Sequence, residues 1–192
     1  MKINVGCGWE VREGWLNVDS TQKPQRINYP ITFMDATKTW PHEDGVFDAV
    51  LSEHMIEHIS DEDGTRFLQE AFRTLKFGGV IRISCPDREF FEQLHLSPHH
   101  VFVKNYARAV LNTNVPIFAI APTIKRIVKR TLEEQGHVWV PTGQQLIDKL
   151  MSVGFHNVNR SEFGKSAYDV FDGIEVKNGV REYESVCVEA IK

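Results

Sequence analysis

The sequence predicts an α/β fold, a mostly parallel sheet with helices on its faces, and three observations carry that expectation. Short apolar runs alternate with helical or turn-rich segments up to about residue 87, the pattern of strand, crossover and parallel strand. The first run, Ile3-Asn4-Val5, empties into a glycine turn at Gly6-Cys7-Gly8, where backbone can approach a ligand with no Cβ in the way. A second run then delivers Asp19, so a carboxylate stands one strand away from the turn. With 192 residues, 42% of them hydrophobic and 25% charged, the chain can bury one sizeable core, and a single domain over 1–192 is expected.

Strands are expected at 2–5, 15–18, 31–34, 47–52 and 79–84. The clearest helix starts near Ser60-Asp61, where acidic side chains suit the positive end of the helix dipole. It sets Phe67, Leu68, Ala71, Phe72 and Leu75 on one face and stops at Gly78-Gly79. A second helix follows Pro141-Thr142, with Thr142 as cap, Leu146, Ile147, Leu150 and Met151 as its apolar stripe and Gly154 as its end. Two more strands, near 156–163 and 183–191, would complete the sheet, and Asn178-Gly179 has the turn chemistry of a hairpin leading into the last. Only ten residues separate Gly8 from Asp19, too few for a full crossover helix, so the first helix must shrink to a turn or an open loop. The long stretch 88–136 reads as a helical insertion after the fifth strand.

Position 11 is Val where the phosphate-binding pattern G-x-G-x-x-G needs its third glycine, so a nucleoside without phosphates fits this turn better than a dinucleotide. Three segments in order, Asn4-Val5-Gly6-Cys7-Gly8, Phe47 to Ile59 and Leu75 to Ser84, resemble the class I methyltransferases that use S-adenosylmethionine. The resemblance covers most of the chain and implies a Rossmann-like sandwich whose seven-stranded sheet ends in an antiparallel strand. It also implies S-adenosylmethionine as cofactor. Val5, Gly6, Cys7 and Gly8 then line the cofactor turn, Asp19 holds the ribose hydroxyls, Asp35 and Ala36 meet the adenine, and Ser52 and Glu53 lie beside the methionine end. The nearest look-alikes are small bacterial or viral enzymes, many associated with sugar and cell-surface glycan synthesis, which implies O-methylation of a glycan or glycan precursor. Two alternatives stand beside it: methylation of another small metabolite or an RNA end, and a partner subunit that keeps the cofactor pocket without the chemistry. The family commonly carries helices before the first strand; none is seen in this sequence, and 88–136 is expected to serve as the substrate-binding lid.

His54, Glu57 and His58 spell H-x-x-E-H, which on a helix can gather two imidazoles and a carboxylate around zinc for peptide hydrolysis. Its place just after a strand in a methyltransferase-like frame argues against a protease. Small-RNA end methyltransferases and quinone-pathway O-methyltransferases look similar here and use E-x-x-E-H to hold a divalent metal beside the accepting hydroxyl. His54 stands where the first Glu would, and because Mg²⁺ prefers oxygen donors, a metal on His54, Glu57 and His58 would be Zn²⁺, Mn²⁺ or Fe²⁺. The competing reading has Glu57-His58 supporting the loop with no metal.

A sulfonium brings its own leaving group, so the protein must align the acceptor and, for a hydroxyl, take its proton. Histidine suits that task, and His137, in Gly136-His137-Val138-Trp139, is the first candidate, with His58 and His54 as rivals. Trp139 could stack on a sugar, and Asp87 and Arg126 are further candidate substrate contacts. The insertion also holds His95, His99-His100, an apolar run over 115–122 and the cations Lys125, Arg126, Lys129 and Arg130 on one helix side. Those cations suit a diphosphate, an acidic glycan or, through 115–130, peripheral contact with an anionic membrane; the alternative is a solvated face paired with Glu133 and Glu134. A formal charge of −4 argues against binding nucleic acid through overall charge. Cys7, Cys85 and Cys187 are odd in number and scattered, as reduced core thiols would be. With no targeting or membrane-spanning segment, a cytoplasmic setting is expected.

Overall fold

A computed structural model of the protein describes residues 1–21, 30–96, 106, 117–134, 136–175 and 180–192. Asn178-Gly179, His99-His100 and Val115-Pro116 lie outside the described residues. Seven strands make one sheet: β1 (Lys2–Val5), β2 (Leu16–Asp19), β3 (Ile31–Phe33), β4 (Phe47–Glu53), β5 (Leu75–Pro86), β6 (His156–Ser161) and β7 (Ser185–Ile191). Their order is β3-β2-β1-β4-β5-β7-β6. The first five are parallel, and β7 runs antiparallel to both β5 and β6. The chain steps outward from β1 through β2 to β3, then returns to place β4 on the other side of β1. The connections leaving β1 and β4 therefore diverge, and a crevice opens at their carboxyl ends.

Helices cover one face of the sheet. On α1 (Asp61–Thr74), Ser60 caps by accepting from the Asp63 N–H at 3.1 Å, and Phe67, Leu68 and Ala71 are buried. The helix stops at Thr74, before Gly78-Gly79, because Leu75 is already extended and pairs with Phe47 of β4. Strand β5 thus begins four residues earlier than the expected 79 and takes Gly78, at φ 76°, into its length. On α4 (Gly143–Val153), Thr142 and Gln145 form a reciprocal capping box and Gly154 ends the helix at φ 116°. Leu146 and Leu150 join the α1 stripe against Ile3, Val50, Ile81, Ile83 and Val188. Met151 does not: it is 60% exposed, one residue past the contact line with α1 and the sheet.

The other face departs from the expectation of helices on both. Among the described residues it is covered by loops, and its strand positions mix apolar Ala49, Leu51 and Val80 with buried polar Asn4, Asn17, Arg82 and Glu189. Arg82, fully buried on β5, donates to Glu175 at 2.6 and 2.8 Å, to Glu189 at 2.5 Å, and to the carbonyls of Glu162 and Lys165 at 3.1 Å each. A helix has no spare carbonyls to offer such a guanidinium, whereas the turns of 162–175 do. Phe171 from those turns packs on Ala49 and Leu51 and lies 6.1 Å from Trp15. The first crossover has no helix: residues 6–15 are turns and loop. Asn4 donates to the Glu10 carbonyl at 2.8 Å, while Asn17 accepts from the Arg12 N–H at 2.8 Å and donates to the Arg12 carbonyl at 2.9 Å. Two buried amides thus pin the loop to the sheet.

In the 88–136 stretch, α2 (Arg88–Leu96) and α3 (Ile117–Lys129) meet through Phe91, Leu94, Tyr106 and Ile124, with Ile127 and Val128 against them. The described apolar side of α3 is therefore covered by its own neighbours, while Lys125, Arg126, Lys129 and Arg130 are exposed and Lys129 pairs with Glu134 at 3.0 Å. All three cysteines are buried and none is in a disulfide. Among the described residues no helix is long and apolar enough to cross a membrane.

Candidate active site

The turn after β1 is closed by the Gly6 and Cys7 N–H groups, which donate to the Val18 carbonyl at 2.9 and 3.0 Å. Gly6 sits at φ 68° and Gly8 at φ 54°, and a Cβ on Gly6 would overlap the Met55 side chain, so glycine is required by conformation and by space. Val5 and Cys7 are buried, so what they present to the crevice is backbone. Asp19, at the end of β2, accepts from the Gly8 N–H at 2.8 Å through Oδ2 and from the Thr21 N–H and hydroxyl at 2.8 and 2.5 Å through Oδ1. Turn and carboxylate are thus built as one unit, and each carboxylate oxygen has more than one acceptor direction to offer. Asp35, past β3, accepts from the Thr37 hydroxyl and N–H at 2.7 and 2.9 Å through Oδ1, contacts that hold its carboxyl below the usual range and leave Oδ2 over. Ala36 is buried, and its carbonyl accepts from the Trp40 indole at 3.3 Å.

Sequence reasoning missed two arginines. The Arg12 guanidinium reaches from the stapled loop across the end of β1 to Glu53 at the end of β4, with Nη2 2.8 Å from Oε2. Arg181, on α5 (Arg181–Glu184), lies 3.3 Å from the other Glu53 oxygen. Buried Arg12 Nε, Ser52 Oγ and Ser84 Oγ have no hydrogen-bond partner. Polar groups without partners at the ends of β4 and β5 are what a polar ligand would satisfy.

Beyond β4 the chain turns sharply. His54 adopts φ 51°, and Ile56–His58 form a single 3₁₀ turn instead of a helix. The expected grouping of His54, Glu57 and His58 therefore changes. His54 turns aside, with Nε2 2.8 Å from the Ser185 hydroxyl and Nδ1 3.3 Å from Glu57 Oε1. His54 thus stays beside Glu57 but outside the closest donor set, in which one donor atom from each of Glu57, His58 and His137 lies within 4.8 Å of the others. The Glu57 carbonyl makes this possible by accepting the Val138 and Trp139 N–H groups at 2.7 and 3.2 Å. The His58 and His137 rings meet edge to face at 4.9 Å. Burial lowers the His137 pKa below the ordinary histidine value, against the Thr131 carbonyl and Glu57, which raise it. His54, Glu57, His58, Thr131, His137 and Arg181 line a cavity of about 370 Å³, with Pro86 and Glu184 completing its wall.

The family model for the methyltransferase domain matches residues 5–83. A methyltransferase from Thermotoga maritima, described as dependent on S-adenosylmethionine, superposes with a TM-score of 0.58 at 16% identity, over 100% of this chain and 81% of its own. One from Archaeoglobus fulgidus gives 0.58 at 18% identity, over 100% and 85%. PigF, solved with S-adenosylhomocysteine, gives 0.51 at 12% identity, over 100% and 55%. This is a class I methyltransferase fold. No curated protein matches the chain in sequence. The methyltransferase-domain match over residues 5–83 and the fold agree with each other.

Within this methyltransferase fold three expected substrate contacts stand apart from the cavity. Trp139 packs on the core, its ring 3.7 Å from where a Cβ on Gly64 would stand and 5.0 Å from Lys149 Nζ, so its face is already used and it is not presented for stacking on a sugar. Asp87 precedes α2 and accepts the Glu89 N–H at 3.0 Å, with burial raising its pKa. Arg126 is on the exposed side of α3 and does not line the cavity. Tyr106 does reach the cavity wall, donating to Glu184 at 2.7 Å.

Proposed function

We propose that the protein transfers the methyl group of S-adenosylmethionine to a hydroxyl of a small polar acceptor held in the His54, Glu57, His58 and His137 cavity. The observation that carries this is Glu57: 1% exposed, with neither carboxylate oxygen accepting a hydrogen bond, it faces two imidazoles a few residues past the strand end that holds Ser52 and Glu53. A group left unsatisfied at that cost is kept for chemistry. The nucleoside half of the cofactor lies along Gly6-Cys7-Gly8, Asp19 and Asp35-Ala36. Its methionine end, a zwitterion, lies against the Arg12 and Glu53 pair, whose opposite charges match the α-carboxylate and α-ammonium groups. The acceptor oxygen attacks the methyl carbon in line; the C–O bond forms, the C–S bond breaks, and its electron pair neutralises the sulfonium sulfur. The hydroxyl proton passes to the Glu57, His58 and His137 cluster. Alignment and proton removal are the protein's whole contribution.

In this reading the described parts of 88–136 serve acceptor binding within one domain, supported by Thr131 in the cavity lining and Tyr106 on Glu184 in its wall. A sugar hydroxyl of a glycan or its precursor is the acceptor class this reading favours, resting on the family resemblance and on the polar walls of the cavity. Three buried cysteines, none in a disulfide, suit a reducing cytoplasm. The test is an acceptor screen with radiolabelled S-adenosylmethionine, begun with sugars and nucleotide sugars. Label in a sugar ether, lost in Glu57→Gln, supports the reading; label only in amines, or cofactor bound with no transfer to any hydroxyl, refutes it.

A further inference from the structure

We infer that Glu57, His58 and His137 form a binding site for one borderline divalent cation such as Zn²⁺. Each imidazole is already held as a ligand would be. A backbone carbonyl can only accept, so the 3.2 Å contact from His58 Nδ1 to the Gly136 carbonyl fixes the hydrogen on Nδ1, and the contact from His137 Nδ1 to the Thr131 carbonyl does the same. Both rings therefore keep Nε2 unprotonated and able to ligate. A histidine whose second ring nitrogen donates to a backbone carbonyl has its orientation set by that bond, and the same bond raises the basicity of the nitrogen left over. The third donor is the buried carboxylate of Glu57, which no hydrogen bond satisfies. Burying a carboxylate that accepts no hydrogen bond is costly, the His54 ring at 3.3 Å is the contact it has, and a cation between it and the two imidazoles would offset that cost.

Two nitrogens and one oxygen suit Zn²⁺, and Mn²⁺ or Fe²⁺ more weakly, while Mg²⁺ and Ca²⁺ want all-oxygen shells. Three protein donors leave a position open toward the cavity, as catalytic sites do. His54 is the outer contact, with Nδ1 3.3 Å from Glu57 Oε1 and Nε2 on Ser185. Cation binding stands independently of the proposed function. What the ion does there rests on that reading: an acceptor hydroxyl in the open position would be bound through its oxygen and, with the three protein donors occupied by the ion, would give up its proton to water in the cavity.

The experiment uses the full chain, stripped with a chelator and dialysed. Co²⁺ is followed by visible absorption and Zn²⁺ by calorimetry, and S-adenosylhomocysteine is titrated into the same metal-free protein. The expected result is one equivalent of either metal, weakened about tenfold to a hundredfold in His54→Ala, as for an outer-shell partner, and further in His137→Ala and Glu57→Gln. His137→Cys, which restores a donor, recovers Co²⁺ binding with a thiolate charge-transfer band, so loss in His137→Ala is not misread as unfolding. Native protein that takes up neither metal overturns the inference. So does His137→Ala that binds as the native protein does. Metal uptake without S-adenosylhomocysteine binding removes the methyltransferase reading and leaves the metal site standing; the reverse removes the metal site alone.

Discussion

Replacing Arg12 by Met separates the two halves of the cofactor. The guanidinium is one of two cations on Glu53, it is about one-fifth exposed, and its Nε is buried without a partner. A charge-assisted hydrogen bond to the methionine carboxylate contributes about 1.5–3 kcal/mol, so its loss should weaken S-adenosylhomocysteine by roughly tenfold to a hundredfold. Arg181 still balances Glu53 in the variant, so the strand end is not left with a bare carboxylate. Methylthioadenosine has the nucleoside and the sulfur but no amino acid, and its affinity should stay within about twofold of the native value, because an interaction it never made cannot be lost. Calorimetry with both ligands on both proteins, beside a thermal melt, measures the difference. Equal weakening of the two ligands would refute the argument and make Arg12 a strut of the loop; no weakening of either would place the amino-acid end elsewhere.

Asp19→Asn should cost about 1.5–3 kcal/mol of S-adenosylhomocysteine affinity, the value of a charged acceptor, and, unlike Arg12→Met, should weaken methylthioadenosine equally by calorimetry. His137 has its pKa lowered in the folded state; a lowered value favours the neutral ring, so its contribution to stability is complete above the ordinary histidine pKa and is lost as pH falls through the folded value. Methyl transfer by the metal-free protein should accordingly show an acid limb below the usual histidine range, measured by a pH–rate profile, and a limb above it would contradict the assignment. Arg82→Met should destabilise by about 3–5 kcal/mol, because it strands two buried carboxylates, and urea unfolding reads this directly. Burial pushes the Cys187 thiol up to about 12 and Cys85 well above its ordinary value, so neither should react with a thiol reagent at pH 8 until the protein is unfolded, when all three cysteines should.

Features that rest on local chemistry were legible in the sequence. The Thr142 cap, the Gly154 stop and the Ser60 start each depend on a few consecutive residues, and all three appear where side chain and backbone demand them. The end of α1 was not legible, because the stop is imposed by Leu75 pairing with Phe47, a partner distant in sequence that no local window contains. The loop-covered face escaped for a related reason. Arg82 within an apolar run reads as an edge or an exception, and only Glu175 and Glu189 show why it is buried. In the site, the glycine turn and Asp19 could be read because spacing alone sets them side by side. The meeting of His137 with His58 could not, since it depends on backbone bonds from Val138 and Trp139 to the Glu57 carbonyl. The one available signal was a lone Gly-His pair ahead of a helix, next to an H-x-x-E-H group short of a partner.

That double use of Glu57 has a mechanical consequence. Its carbonyl clamps the chain at 138–139 while its carboxylate faces the cavity, so that stretch is fixed to the floor of the site. Gly136, at φ 72°, is the last joint before the clamp. On the other side of that joint, the Thr131 carbonyl holds His137 Nδ1. The proton-handling nitrogen of His137 is thus chosen by a carbonyl carried on Arg130–Glu134, the same stretch that walls the cavity, so the surface that meets the acceptor also sets the tautomer of the ring.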